Sequence, residues 1–200
     1  MRLFVQFSPQ VQSLLAFLVV VLLLAAVAIY IVALRKGELK PRPISWIGWT
    51  LIMGISLYSQ VTEKGWQWNQ IGLALSVAGC VVVAILSLKH GIIQFGDWIC
   101  LALGMICVVI YLESKDAWTT TLVAILADLL IALPTQHNAY KDPLSEKSYA
   151  WHFGAAAYLV NSIDCAGYDP IYAAPPIYLL LMNSSMVLLT SRKRRFVPVH

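Results

Sequence analysis

The sequence predicts an all-α membrane protein of seven transmembrane helices, amino terminus outside and carboxyl terminus inside, forming a single integral domain over residues 1–200. Three observations carry this prediction. Sixty per cent of the residues are apolar and only 12% are charged, against about 45–50% and about 25% in a soluble domain. The mean hydropathy of +0.74 agrees. The apolar residues also fall in runs near the roughly 20 residues that a spanning helix needs, and the cationic residues segregate to alternate connections.

In chain order the runs are Val11–Leu34, Ile44–Val61, Ile71–Leu88, Trp98–Leu112, Ala117–Leu133, Tyr149–Ile163 and Ile171–Thr190. The fourth and sixth are short and lengthen by recruiting Asp97 or Ser148. None alternates in the in–out manner of an outer-membrane barrel. In the first run, "AVA" at Ala26, Val27 and Ala28 has the small-x-small form of a signal-peptidase site. The apolar run nevertheless continues to Arg35 and Lys36, as a retained helix does. Gly72, Ser76 and Gly79 form a small-residue stripe suited to close helix contact.

Orientation follows from the positive-inside rule. With the amino terminus outside, the inner connections and tail carry eleven cations: Arg35, Lys36, Lys40, Arg42, Lys89, Lys141, Lys147, Arg192, Lys193, Arg194 and Arg195. The outer side holds three: Arg2, Lys64 and Lys115. The formal charge of +4 is thus a topology signal and not a nucleic-acid patch. The closing "RKRR", Arg192 to Arg195, is placed to meet anionic lipid head groups. A multi-pass protein of a bacterial cytoplasmic (inner) membrane is expected. Trp66 and Trp68 belong to its outer aromatic belt.

Seven is odd, which directs attention to a repeat around a lone helix. The first and fifth runs cross in the same sense, and each leads into a proline-containing basic hinge, "RKGELKPRP" and "PTQHNAYKDP". After each hinge a serine precedes a tryptophan-bearing helix, "SWIGW" at Ser45–Trp49 and "SYAW" at Ser148–Trp151. Residues 11–88 then form a first three-helix repeat, 97–112 a linker helix and 117–190 a second repeat of like orientation, a 3+1+3 plan of two parallel bundles.

A helix closing on "LPTQ", a hinge with Lys141, Pro143 and Glu146, and then "SYAW" resembles the proline-glutamine loop of the PQ-loop superfamily, which includes the SWEET sugar transporters. Thr135 stands between Pro134 and Gln136, and the first hinge has no Pro-Gln pair. The resemblance implies a small carrier working by alternating access, with Pro134 as a pivot of the inner gate. It also implies a substrate-binding role for Asn183 on the seventh helix. The position matching Asn183 on the third helix falls near Cys80, which carries no amide.

The residues themselves supply further candidates. Asp128 sits in an oily run about five residues from the inner end read for its helix, roughly 7–8 Å deep. An ionisable group there must be paired, wetted or protonated. His152 begins the sixth helix at similar depth. A carboxylate beside an imidazole can exchange a proton during transport, so Asp128 and His152 are assigned to proton or ion coupling. The competing reading makes Asp128 a structural partner of Tyr149 or a hinge amide. An asparagine offers donors and an acceptor without charge, which suits an uncharged or zwitterionic polar metabolite at Asn183. Asn161 is expected at the outer mouth or the helix interface. Trp151 and Trp49 open related helices, either as interfacial anchors or as stacking platforms for a solute. Pro175 and Pro176 bend the seventh helix and suggest an outer hinge.

Neither HExxH, GxSxG nor a clustered acidic pair is found in the sequence, so an enzyme is not expected and no cofactor is implied. The four cysteines show no metal spacing or disulfide pattern. The expected partners are a small-molecule solute and the lipid bilayer. A homo-oligomer is compatible with the sequence but not required. The alternative function is a non-transporting membrane sensor or assembly scaffold on the same fold.

Overall fold

The computed structural model describes residues 7–64, 71–114, 116–165 and 170–192. Seven α-helices lie among them: α1 (Pro9–Arg35), α2 (Pro43–Lys64), α3 (Ile71–His90), α4 (Phe95–Glu113), α5 (Ala117–Lys141), α6 (Ala150–Cys165) and α7 (Pro170–Thr190). No strand occurs among the described residues. Arg2, Trp66, Trp68, Lys115, Lys193, Arg194 and Arg195 lie outside them, as does the side chain of Lys64.

Local chemistry sets several boundaries. Ser8 caps α1 through its side chain, which accepts from the Val11 amide, and Pro9 follows at the first turn, where no amide partner is needed. At the other end Gly37 takes φ +72°. The Gly37 and Glu38 amides then donate to the Leu34 and Ala33 carbonyls, the paired bonds of a glycine-terminated helix. Asp97 closes a capping box with Gln94 at the start of α4, and Asp116 caps α5 by accepting from the Thr119 amide at 2.7 Å.

Five helical stretches are long and apolar enough to cross a membrane: Pro9–Arg35, Leu73–His90, Phe95–Glu113, Thr121–Lys141 and Ala173–Thr190. Pro43–Tyr58 is a shorter apolar helix. This fits an integral multi-pass protein, and the burial pattern agrees. Phe17, Ile85, Leu181 and Leu188 are each more than 60% exposed, whereas Asp97, Asp128, Asn138, Glu146 and Asn183 are buried. Water would not favour such an exterior, but hydrocarbon would. Helical hydroxyls turn back on their own backbone: Thr50 donates to the Trp46 carbonyl, Ser162 to Tyr158 and Thr190 to Met186. Each thus has a partner without needing water.

Six helices surround a central space. α3 packs on both α1 and α2, α7 packs on both α5 and α6, and the ring closes where α1 meets α6 and α2 meets α5. α4 lies outside, on α5 and α2. A tight joint holds that side. A Cβ built at Gly48 in α2 would come within 2.6 Å of Ile131, and one at Gly104 in α4 within 2.8 Å of the same side chain. Ile131 of α5 therefore occupies a hole shared by two neighbouring helices. Gly79 of α3 admits Val27 of α1 in the same way.

The connections α1–α2, α3–α4 and α5–α6 meet at one end with the close of α7. There the Lys40 amide donates to the Ser145 carbonyl at 2.8 Å and the Ile92 amide to the Pro41 carbonyl at 3.0 Å. Arg192 lies over the Tyr140 ring. Arg35, Lys36, Lys40, Arg42, Lys89, Lys141, Lys147 and Arg192 all belong to this end, called the basic end below.

One boundary differs from the expectation. α5 does not stop at Pro134 but runs on to Lys141, with Pro134 inside it. The proline removes one amide, but Pro134 and Thr135 are buried and Gln136 donates to Ser185 of α7 at 3.2 Å. Packing on both sides thus carries the helix past a residue that would end it in isolation. Asp128 is consequently mid-helix, thirteen residues before Lys141, or about 20 Å along the axis, and not one turn and a half from the end. Pro175 and Pro176 likewise lie within a continuous α7.

The Ile131 joint yields a test. Gly48→Val forces its branched side chain into Ile131 and lowers stability by roughly 1–3 kcal/mol. Thermal unfolding of the detergent-solubilised protein should show the loss, and Gly54→Val, at a position with open space around it, should show much less.

Candidate solute site

The ring of six helices encloses a cavity of about 110 Å³. Each helix of the ring contributes: Tyr30 and Val27 from α1, Trp46 and Trp49 from α2, Ser76 and Cys80 from α3, Asp128 from α5, Trp151 and Tyr158 from α6, and Asn183 from α7. α4 contributes nothing to the described wall. Asp128 is 8% exposed. Its Oδ2 accepts from the Tyr178 hydroxyl at 2.7 Å, and the Trp49 indole interacts with the same carboxylate. This meets the requirement that a buried acid be hydrogen-bonded. Asn183 gives one amide proton to the Leu179 carbonyl at 2.8 Å. Its Oδ1 lies where a Cβ on Gly154 would sit, so that glycine lets α6 and α7 close around the amide.

Trp151 and Trp49 are 6% and 4% exposed and point inward, so neither is an interfacial anchor. Trp151 packs edge-on against Tyr30 with ring centres 5.9 Å apart, and Trp46 lies 4.8 Å from Tyr30 and 6.5 Å from Trp151. These three rings floor the cavity toward the basic end.

Beneath the floor lies a second polar cluster. Glu146, in a single-turn 3-10 helix (Pro143–Glu146), has no exposure. Its Oε2 accepts from the Tyr30 hydroxyl at 2.7 Å, its carbonyl accepts from the Trp151 indole at 2.9 Å, and Oε1 has no hydrogen-bond partner. Asn138 bridges to the Lys40 carbonyl, and Arg42 pairs with Asp97 at 3.3 Å, both side chains buried. Burial pushes the Glu146 carboxyl from its ordinary 4.5 up to about 8, against the opposing pull of Tyr30, Asn138 and Arg42.

Other expected residues fall elsewhere. His152 is exposed and lies beside Tyr149, ring centres 5.6 Å apart. It therefore does not pair with Asp128. Trp151 already faces the cavity, and the next residue on a helix is turned about a quarter circle away. Tyr149, the suggested structural partner of Asp128, is itself 74% exposed; Tyr178 takes that place. Asn161 is half-buried and off the cavity wall, its Oδ1 facing the Cys165 thiol at 3.9 Å. Pro134, Pro175 and Pro176 do not line the cavity. Cys80, the position matched to Asn183, does line it, so the site holds one amide opposite a thiol.

Sequence reasoning passed over Tyr30, Trp46, Tyr158, Tyr178 and Glu146. A usable signal existed on α6, where Ala150, Trp151, Gly154, Ala157 and Tyr158 recur at helical spacing and mark the inward stripe. No comparable signal marked Glu146, a charged residue in a polar hinge.

No group of three or more metal-ligating side chains occurs among the described residues. No family model, no curated protein and no solved structure matches the chain.

Glu146 makes stability depend on pH. Its folded-state pKa lies above the unfolded one, so the folded protein holds the extra proton between about 4.5 and about 8. Stability is therefore full below that window and falls as pH rises through it. The unfolding midpoint should drop by roughly 10 °C from pH 5 to pH 8.5, and Glu146→Gln should flatten that slope. A wild-type midpoint that rises across this range would contradict the assignment.

Proposed function

We propose that the chain is a small membrane carrier that moves a polar metabolite through the central cavity by alternating access. The observation that carries this reading is the presence of a buried acid and a buried amide, Asp128 and Asn183, on the wall of a cavity built by six helices. Buried polar groups at membrane depth are expensive and mark solute or ion paths.

In this reading α1–α3 and α5–α7 are two like-oriented units of a PQ-loop-like 3+1+3 plan, and all seven helices cross the membrane. Support comes from the packing: α1 on α3 answers to α5 on α7, α2 on α3 to α6 on α7, and α1 on α6 to α5 on α2. The basic end faces the cytoplasm of a bacterial inner membrane, with Arg192 and the cations after it on anionic lipid.

Rocking the units apart at the basic end admits the solute. That movement must part Trp151 from Tyr30 and Trp46, and break the Tyr30–Glu146 bond. Coupling, where present, runs through Asp128 and Tyr178, with Tyr158, Cys80 and Trp49 around the carboxylate. His152 has no part in it. The competing reading, a sensor or assembly scaffold, draws on the dense bonding of the closed basic end.

Uptake of a pooled set of labelled small metabolites into liposomes holding the purified chain, with and without a pH gradient, tests the proposal. A carrier takes up at least one solute, and Asp128→Asn abolishes the pH-driven part. Liposomes that take up nothing in any condition favour the sensor or scaffold. Pairing Lys40→Cys with Ser145→Cys, positions joined by a 2.8 Å backbone hydrogen bond across the basic end, should on oxidation lock that end and stop uptake, with dithiothreitol restoring it.

A further inference from the structure

The chemistry of the cavity wall is one-sided. Its one carboxyl group is that of Asp128, and no lysine, arginine or histidine is among the described lining residues. Some of the wall's donors are already committed, although the buried Trp46 indole nitrogen has no hydrogen-bond partner. Asn183 has given one amide proton to Leu179, the Tyr178 hydroxyl points at Asp128, and the Tyr30 hydroxyl points away at Glu146. Four aromatic rings, Tyr30, Trp46, Trp49 and Trp151, complete the wall within one cluster, with Trp46 and Trp49 centred 5.0 Å apart and nearly perpendicular.

A carboxylate beside several aromatic faces attracts positive charge twice over. The ion pair forms in a desolvated site, and the ring quadrupoles present their negative faces to the cation. An anion would meet Asp128 with nothing to offset it. A zwitterion would leave its own carboxylate unpaired in the same space. An uncharged polyol would bring hydroxyls to walls that are mostly aromatic and aliphatic. Volume narrows the class further. A cavity near 150 Å³ holds a six-membered aromatic ring, so about 110 Å³ suits roughly five to seven non-hydrogen atoms.

From this wall we infer that the solute is a compact organic ammonium ion, caged by Tyr30, Trp46, Trp49 and Trp151 with Asp128 as its counter-charge. The inference rests on the reading of the cavity as the solute site and narrows the polar metabolite of that reading to a monocation. Asn183 accepts from the ammonium substituents or from a hydroxyl on their chain. Tyr178 holds the carboxylate in place while it is empty.

Calorimetric titration of the purified full chain in detergent tests this with three probes: tetramethylammonium, choline and 3,3-dimethyl-1-butanol, the uncharged carbon isostere of choline. Both cations should bind saturably, and the isostere should bind at least about tenfold more weakly. Asp128→Asn should weaken cation binding by a similar factor or more, and Trp151→Leu should weaken it while Trp151→Phe retains most of it. If Asp128→Asn fails to fold, Asp128→Glu and the two Trp151 variants decide the matter. Equal binding of isostere and choline, unchanged cation binding in Asp128→Asn, or no cation binding at all overturns the cage. Liposomes separate the two claims. Uptake of uncharged solutes without ammonium binding sinks the cage and leaves the carrier, whereas ammonium binding without any uptake sinks the carrier and leaves the cage.

Discussion

The hydrogen bond from Tyr30 to Glu146 joins residues 116 positions apart, and much of the architecture is arranged around it. For the bond to form, the α1–α2 connection must lie against the hinge between α5 and α6. The Lys40 amide on the Ser145 carbonyl, Asn138 on the Lys40 carbonyl and the Trp151 indole on the Glu146 carbonyl all serve that placement. Ladder bonds alone would leave these loop amides and carbonyls unpaired beneath an apolar ring cluster. Cross-bonding between connections answers the demand that buried backbone groups find partners, and it adds to the apolar packing of Leu34, Leu39, Trp46, Ala139 and Trp151 at that end.

Above this layer the interior changes character. The floor of Tyr30, Trp46 and Trp151 separates a hydrogen-bonded base from a cavity with a single carboxylate and a single amide on its wall. The base is cross-bonded between connections, with Ser45 Oγ, Thr135 Oγ1, Glu146 Oε1 and Arg42 Nε left without partners. The cavity is spare by comparison. An unmatched group in a bonded layer weakens the layer, whereas acceptor capacity left on a cavity wall remains available to a guest.

The helices were legible in the sequence because hydropathy alone decides whether a run of 20 residues prefers hydrocarbon. Asp128 was legible for the complementary reason, a charge within such a run. What could not be read were relations across the chain. Arg42 and Asp97 are 55 residues apart, and each on its own resembles an ordinary loop or helix-start residue. Glu146 looked like a solvated hinge residue, and only the loop packing makes it a buried acid. Pro134 misled because local rules end a helix there, while contacts from α4 and α7 hold α5 intact. His152 misled because its depth along the axis fitted Asp128 but its azimuth did not. Depth is set by position in the sequence, whereas azimuth depends on which neighbouring residue faces the centre, and here that is Trp151.

The grip of Gly48 and Gly104 on Ile131 has a mechanical consequence. α4 braces the seam between α2 and α5, and no further helix among the described residues does the same for the seam between α1 and α6. The fold is therefore built like a book with one spine. In the carrier reading proposed above, a swing of its covers turns about the line of Ile131 and must first part the direct packing of α1 on α6, beside which the bilayer's own lipids lie.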